Sequence, residues 1–583
     1  MRKTRFIILL LSAFTFTTIS SCNDDSDPES TNTNTDTTVD VEEDGGYTAT
    51  ITEALEANSN THQADADYTW NESDIVTITL NGSSITVEPA VANVDGGTVT
   101  ITTAGTYSIS GTLDNGQVIV DTEDEATVRL ILNGASINNS STSPLYIANA
   151  EKAVIVLAEN TTNSITDGAT YVFESEDEDE PNAALFSKAD LTIYGKGSLT
   201  VNGNYNDGIV SKDGLIIGSG SIRVTAADDG IRGKDYLIVE DGAIQVNAGG
   251  DGLKSDNDED TDAGYIWIEG GDITITSAGD AIAAETDALV GNGKFTLTAG
   301  GGSSSSIADD DSAKGIKAGV LLIIEGGTLA IDAADDGVHS NANISLNGGA
   351  VNIATGDDAV HADAYLGING SDLTISKSYE GIEASVIAIT DGTIHVTSSD
   401  DGINGATDDT SIEPYLYVYG GYIYVDAAGD GIDINGSIVM TDGTVIVNGP
   451  TTNSNAAIDY DNSFKISGGF LLAAGSSGMA QIPGTSSSQN SVLVTLSSAQ
   501  AAGSLVHLQA SDGTTLATFK PAKKYQSFAF SSPDLKTGTT YSLYLGGSSS
   551  GTATDGLYSG GTYTTGTLST SFTISSVVTK VSR

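Results

Sequence analysis

Between Asp207 and Ala456 the apolar residues fall in short alternating runs. One example is Tyr236-Leu237-Ile238-Val239, then Glu240-Asp241-Gly242, then Ala243-Ile244-Gln245-Val246-Asn247-Ala248. The period is two rather than 3.6, which predicts strands and not helices. Superimposed on this alternation is a phrase made of an acidic or substitute residue, Gly or Ala, and an aliphatic. It begins at Asp207, Asp229, Asp251, Asp280, Lys314, Asp336, Asp358, Glu380, Asp401, Asp430 and Ala456. The steps are 22, 22, 29, 34, 22, 22, 22, 21, 29 and 26 residues, so six of ten are 21 or 22 and the others carry insertions. Three strands and three tight turns fill about 22 residues. The pairs Gly270-Gly271, Gly326-Gly327, Gly348-Gly349, Gly420-Gly421 and Gly468-Gly469 can supply turn conformations with positive φ.

Coils of that size stack so that every strand pairs in parallel with the one below, at about 4.8 Å per coil. The reading is all-β, a parallel β-helix with about 22 residues per coil over 186–470. A leucine-rich repeat would need a Leu/Asn signature, and a calcium β-roll needs serial Gly-Gly-x-Gly-x-Asp nonapeptides; neither occurs. Residues 47–185 read as an N-terminal β cap with the first coils, because their strands are irregular. Residues 471–583 lose the step and read as a closing β-layer.

Residues 1–21 form a targeting segment, with Arg2, Lys3 and Arg5 ahead of the apolar run from Phe6 to Leu11. That run is too short for a stable membrane span. It closes on Ile19-Ser20-Ser21-Cys22, which resembles a bacterial lipobox and implies lipid on Cys22, the single cysteine. The Ser/Thr/Asn/Asp tract over 22–46 suits a tether, and its acidic start resembles surface-export signals of outer-membrane lipoproteins. The expected location is the bacterial cell surface, with membrane contact only through that lipid.

The formal net charge is −55. A nucleic-acid partner is excluded by repulsion from phosphate, and an anionic membrane is repelled in the same way. The acids also recur in register, as at Asp228/Asp229, Asp335/Asp336, Asp357/Asp358 and Asp400/Asp401. Stacked about 5 Å apart, bare carboxylates repel, and a hard divalent cation with six to eight oxygen ligands is the natural remedy. The plain alternative is that each Asp satisfies backbone N–H groups of its turn. The two 29-residue steps hold the densest clusters, one around Asp256 and Asp258, the other with Asp408-Asp409. Each leads into an aromatic strand, Tyr265-Ile266-Trp267-Ile268 or Tyr415-Leu416-Tyr417-Val418. Alternation aims Tyr265, Trp267, Tyr415 and Tyr417 outward, where exposed flat rings suit sugars; ordinary cross-strand packing is the alternative. The residue after the repeat's aliphatic also faces out. It reads Val210, Arg232, Lys254, Ala283, Lys317, His339, His361, Glu383, Asn404, Asp433 and Asp459. Arg232 and Lys254 are candidates to hold a uronate carboxylate, or else to neutralise neighbouring Asp columns.

The phrases Asp228-Asp-Gly-Ile-Arg-Gly-Lys-Asp-Tyr-Leu-Ile-Val, Gly250-Asp-Gly-Leu-Lys-Ser-Asp-Asn-Asp-Glu-Asp, Gly429-Asp-Gly-Ile-Asp-Ile-Asn-Gly436 and Ala457-Ile-Asp-Tyr-Asp461 resemble a carbohydrate-binding β-helix family of polysaccharide-degrading bacteria. The resemblance runs from about Tyr47 to Gly547. It implies a right-handed parallel β-helix like that of pectate lyases, calcium binding, and association with cellulose and pectic acid without an established catalytic activity. Carried over residue by residue, the implied Ca²⁺ ligands are Asp229, Asp251, Asp256, Asp258, Asp280, Asp401, Asp430 and Asp433. Lys314 departs from the acidic pattern. Three functions stay open: a polysaccharide-binding surface protein, a calcium-dependent lyase with Arg232, Lys254 or Lys317 as base, and a calcium-stabilised adhesin.

Overall fold

The computed structural model describes residues 47–583 except 59–61, 174, 176, 309–310 and 408. The expected leader and tether, Cys22 and Asp408 lie outside the described residues. The architecture is all-β, with one α-helix among the described residues, Ile51–Ala57. No helix among them is long and apolar enough to cross a membrane.

Most strands belong to one sheet, and through the repeat most of them pair in parallel with the strand three places further along the chain. The chain therefore visits three columns before it returns to the first. Gly214–Ile217, Tyr236–Val239 and Tyr265–Ile268 follow one another in the second column; Ser221–Ala226, Ala243–Ala248 and Asp272–Ser277 do so in the third. The first column carries the phrase. Its register matches Ile209, Ile231, Leu253, Ile282, Ile316, Val338, Val360, Ile382, Ile403 and Ile432 in succession. All are buried in one continuous core that also takes the alternate residues of the other columns. The repeat length is thus the length of chain needed to bring one aliphatic above the last.

Two kinds of glycine make the rungs close. The second residue of each Gly pair has positive φ, for example 109° at Gly271 and 77° at Gly421, which turns the chain between columns. The phrase glycines instead allow close approach: a Cβ on Gly230 would stand 2.3 Å from Val246 Cγ1 and 2.6 Å from the Gly252 carbonyl oxygen.

Parallel stacking starts upstream of the phrase, at Val76–Gly82 on Gly105–Leu113, beside the antiparallel hairpin of Val76–Gly82 with Ile85–Glu88. At the other end, Phe470–Gly475 pairs antiparallel with Tyr525–Ser531, and a separate six-stranded sheet begins at Val506–Ala510.

One segment has no counterpart in the repeat. From Tyr47 the chain runs back along the outer face of the second column. Tyr47 stacks on Tyr365 with ring centroids 5.8 Å apart, Ala49 N–H donates to Ser345 Oγ, and Ile51 N–H donates to Glu325. Thr50 caps the short helix through a reciprocal bond with Glu53. Ile51 and Ala54 pack on Leu289 and Ile323, and Asn58 donates to Asp287 at 2.9 Å. His62 then lies flat on Tyr236, 3.7 Å between centroids, and Lys152 pairs with Asp67 at 2.8 Å. This strap covers much of the second column.

Candidate functional site

The first column presents a ladder of carboxylates. At most rungs one oxygen of the acid accepts the backbone N–H of the equivalent residue one rung on; Glu380 instead accepts from Asn404 Nδ2 at 2.7 Å. Asp207 Oδ1 takes Asp229 N–H at 3.1 Å, Asp229 takes Asp251 at 2.8 Å, and Asp251 takes Asp280 at 2.8 Å. Asp280 takes Lys314 N–H at 2.6 Å, Asp336 takes Asp358 at 3.1 Å, Asp358 takes Glu380 at 3.1 Å, and Asp401 takes Asp430 at 2.5 Å. Asp430 accepts from Ala456. Parallel stacking leaves these turn N–H groups without strand partners, and a side-chain oxygen one rung away satisfies them. The other oxygen of each acid is left for something else, and what meets it changes along the column.

In the first part, from Asp229 on, the chain's own cations meet several of these oxygens. Lys254 Nζ sits 3.2 Å from Asp229 and 2.8 Å from Asp251. Arg232 grips Asp256 at 2.6 Å. Lys314, the departure from the acidic pattern, places its buried ammonium 2.9 Å from Asp335 and 3.0 Å from Asp336. Burial acts against the charge on Lys254, yet Asp251 and Asp229 outweigh it and hold this lysine protonated well above its ordinary range. Asp280 is buried, which raises its pKa, and it also accepts from Ser312 Oγ. Asp258 projects into solvent on the insertion.

In the last part no such cation arrives. Asp401, Asp430 and Asp433 bring one oxygen each within 4.8 Å of one another, and no Lys, Arg or His pairs with them among the described residues. Burial first, then the mutual repulsion of Asp430, Asp433 and Asp400, pushes Asp401 up to about 7. Asp430 rises to about 7 and Asp433 to about 6 for the same reasons, with Asp459 and Asp461 adding to the field. Of the eight acids expected as metal ligands, the structure brings these three together without a counter-charge. Asp229, Asp251 and Asp256 are paired with Lys254 or Arg232 instead.

A family model for carbohydrate-binding domain-containing proteins matches residues 95–359 and 357–515. The chain belongs to that family. A carbohydrate-binding domain-containing protein of Acetivibrio thermocellus is 43% identical over 139 residues, 23% of this chain. The match spans about half of that relative, 49% of its length. A solved structure described as a polysaccharide lyase-like protein from C. thermocellum, in a gadolinium derivative, is 36% identical and covers 39% of this chain and 92% of its own, with a TM-score of 0.38.

The carbohydrate-binding domain carries its outward aromatics in two different states. Tyr265 points away from the core as alternation requires, but it is 0% exposed. The strap lies over it, with His62 Nε2 2.8 Å from its hydroxyl, and Trp267 packs beside Leu55 of the same strap. The expectation of an exposed ring at Tyr265 therefore differs from the structure, because a segment some two hundred residues upstream folds back onto it, while Trp267 is half-buried. Tyr415 and Tyr417 lie where the strap does not reach. They stack at 5.1 Å and 9°, and Tyr419 continues the ladder at 5.8 Å, all half-buried.

In mid-column the stacked acids Asp336 and Asp358, expected to need a cation, meet the two histidines of the outward column. Asp336, His339, Asp358, His361 and Glu383 also converge. The signal was available in the outward column, where His339, His361 and Glu383 follow one another.

Proposed function

We propose that the protein is a surface-anchored module that binds acidic, pectate-like polysaccharide, with cellulose a further ligand, through calcium held by Asp401, Asp430 and Asp433 and through ring stacking on Tyr415 and Tyr417. The observation that carries this is the uncompensated carboxylate triad at one end of an otherwise charge-paired column. The donor set fits the ion: three half-buried carboxylates with converging oxygens suit a hard cation that tolerates irregular geometry. Asp401 and Asp430 each keep one oxygen on the backbone ladder, which fixes the direction of the other. Calcium there would offset the mutual repulsion and offer open positions to uronate oxygens. The column is read as a right-handed parallel β-helix, and Cys22 as the lipid-bearing residue that tethers it to the outer membrane.

Calorimetric titration with polygalacturonate oligomers, with calcium and again with chelator, tests the reading while absorbance follows unsaturated product. Calcium-dependent heat that is lost in Asp430→Asn and weakened in Tyr417→Ala is expected, without new absorbance. Absorbance that grows with time would make the protein a lyase, and no heat under either condition would leave an adhesin. The pairing of Arg232 and Lys254 with Asp256, Asp229 and Asp251 weighs against these two as proton-abstracting bases, since each is held charged.

A further inference from the structure

Between the lysine-paired rungs and the bare carboxylates lie two imidazoles in register, His339 and His361, with ring centroids 5.0 Å apart. They are held very differently. His339 is saturated: Nδ1 is 2.8 Å from Asp336 and Nε2 2.8 Å from Asn341 Oδ1. His361 stands among carboxylates at distances too long for a proper hydrogen bond. Its Nδ1 is 3.5 Å from Asp358 Oδ2 and 4.0 Å from Asp336 Oδ2, and its Nε2 is 3.5 Å from Asp363. The Nδ1–Asp358 separation matches neighbouring donors on a shared ion, because two ligands about 2.0–2.1 Å from a tetrahedral zinc stand roughly 3.3 Å apart.

We propose that His361 Nδ1, Asp358 Oδ2 and a carboxylate oxygen of Glu383 form a second cation site, selective for a borderline divalent transition metal of the Zn²⁺ class over Ca²⁺. The three donor atoms lie within 4.8 Å of one another. Glu383 is the register partner of His361 on the next rung, so backbone pairing delivers it to that position. Asp358 is 7% exposed and its Oδ1 is fixed by Glu380 N–H, which orients the free Oδ2 toward the imidazole. The neighbouring triad of Asp336, His339 and His361 is the poorer choice, because Lys314 already places an ammonium 3.0 Å from Asp336 Oδ2. Imidazole nitrogen favours zinc, copper or nickel, whereas an all-carboxylate set favours calcium or magnesium. One column would then sort two classes of ion by exchanging a single donor. His361 and Glu383 are only half-buried, so a bound ion keeps positions open to solvent or to a sugar oxygen.

The test is titration of the full chain with Co²⁺, whose visible bands report its donors, followed by competition with Zn²⁺ and with Ca²⁺, with no glycan present. One class of Co²⁺ site is expected, displaced by Zn²⁺ but not by Ca²⁺. His361→Ala and the nearly isosteric Glu383→Gln should each weaken it tenfold or more. Asp430→Asn should leave it unchanged. Circular dichroism and thermal unfolding of each variant show that the fold persists. Unchanged Co²⁺ affinity in both site variants, or displacement by Ca²⁺ as effective as by Zn²⁺, would overturn the assignment. The outcome is independent of the calcium reading, which rests on other residues.

Discussion

The two ends of the carboxylate column share a backbone device and differ in how they manage charge. At most rungs from Asp207 to Asp430 one oxygen of the acid accepts the N–H of the next rung, so the acid has the same backbone duty at both ends. Towards the first end, Lys254 and Lys314 meet the second oxygens of Asp229, Asp251 and Asp336, and Arg232 meets Asp256 on the insertion. Towards the last, the equivalent outward positions are Asn404, Asp433 and Asp459, and the carboxylates face each other. A stack that needed its acids only for turns could have been neutralised throughout by the same substitution that put Lys254 in register with Arg232. The half left uncompensated is the part whose stability and binding should respond to added cations.

The comparison breaks most sharply at Lys314. Replacing it by Met leaves Asp335 and Asp336 buried without their ammonium, and removal of one partner of a buried pair costs about 3–5 kcal/mol. Lys314→Met is expected to lower the denaturant midpoint accordingly; an unchanged midpoint would mean that His339 alone suffices for Asp336. The converse test is at the other end. Calcium at a hundred times its dissociation constant should stabilise the protein by about 2.7 kcal/mol in thermal unfolding. Asp430→Asn should erase that gain and Lys254→Met should not, because Lys254 serves only the first half. A calcium response that survives Asp430→Asn moves the ion elsewhere in the column.

The same contrast marks what the sequence made legible. A phrase recurring every 22 residues gives the strands, the three columns and the register, because stacking demands equal lengths and one aliphatic above another. The carboxylate column and its basic first half could be read from positions alone. What could not be read was contact across long separations. Nothing in residues 47–70 has the period of the stack, yet Asn58 reaches Asp287 and His62 covers Tyr236, which is why Tyr265 is buried and Tyr415 is not. The pairing of Arg232 with Asp256 was hidden for a similar reason, since Asp256 lies on an insertion whose path the repeat does not set.

The smallest expected effect, and the one that refines the comparison, is at the top of the column. Asp207 is 1% exposed; its Oδ1 accepts from Asp229 N–H and from Asn206, but its Oδ2 has no hydrogen-bond partner. Burial, then Asp229 and Asp228, push its pKa up to about 7, and the opposing pull of Arg232 does not undo this because that guanidinium is committed to Asp256. A carboxyl whose pKa is raised on folding favours the folded state while it is protonated. Its contribution is therefore complete below the ordinary carboxylate value near 4 and is lost as pH rises through about 7. Asp213, raised to about 6 chiefly by burial, contributes in the same direction, so the quantity to read is the difference between chains. Asp207→Asn should lose less stability than the unmodified chain between pH 4 and 7, as followed by thermal unfolding in chelator. Parallel curves would show that Arg232 neutralises Asp207 after all, and the paired half of the column would then extend to its first rung.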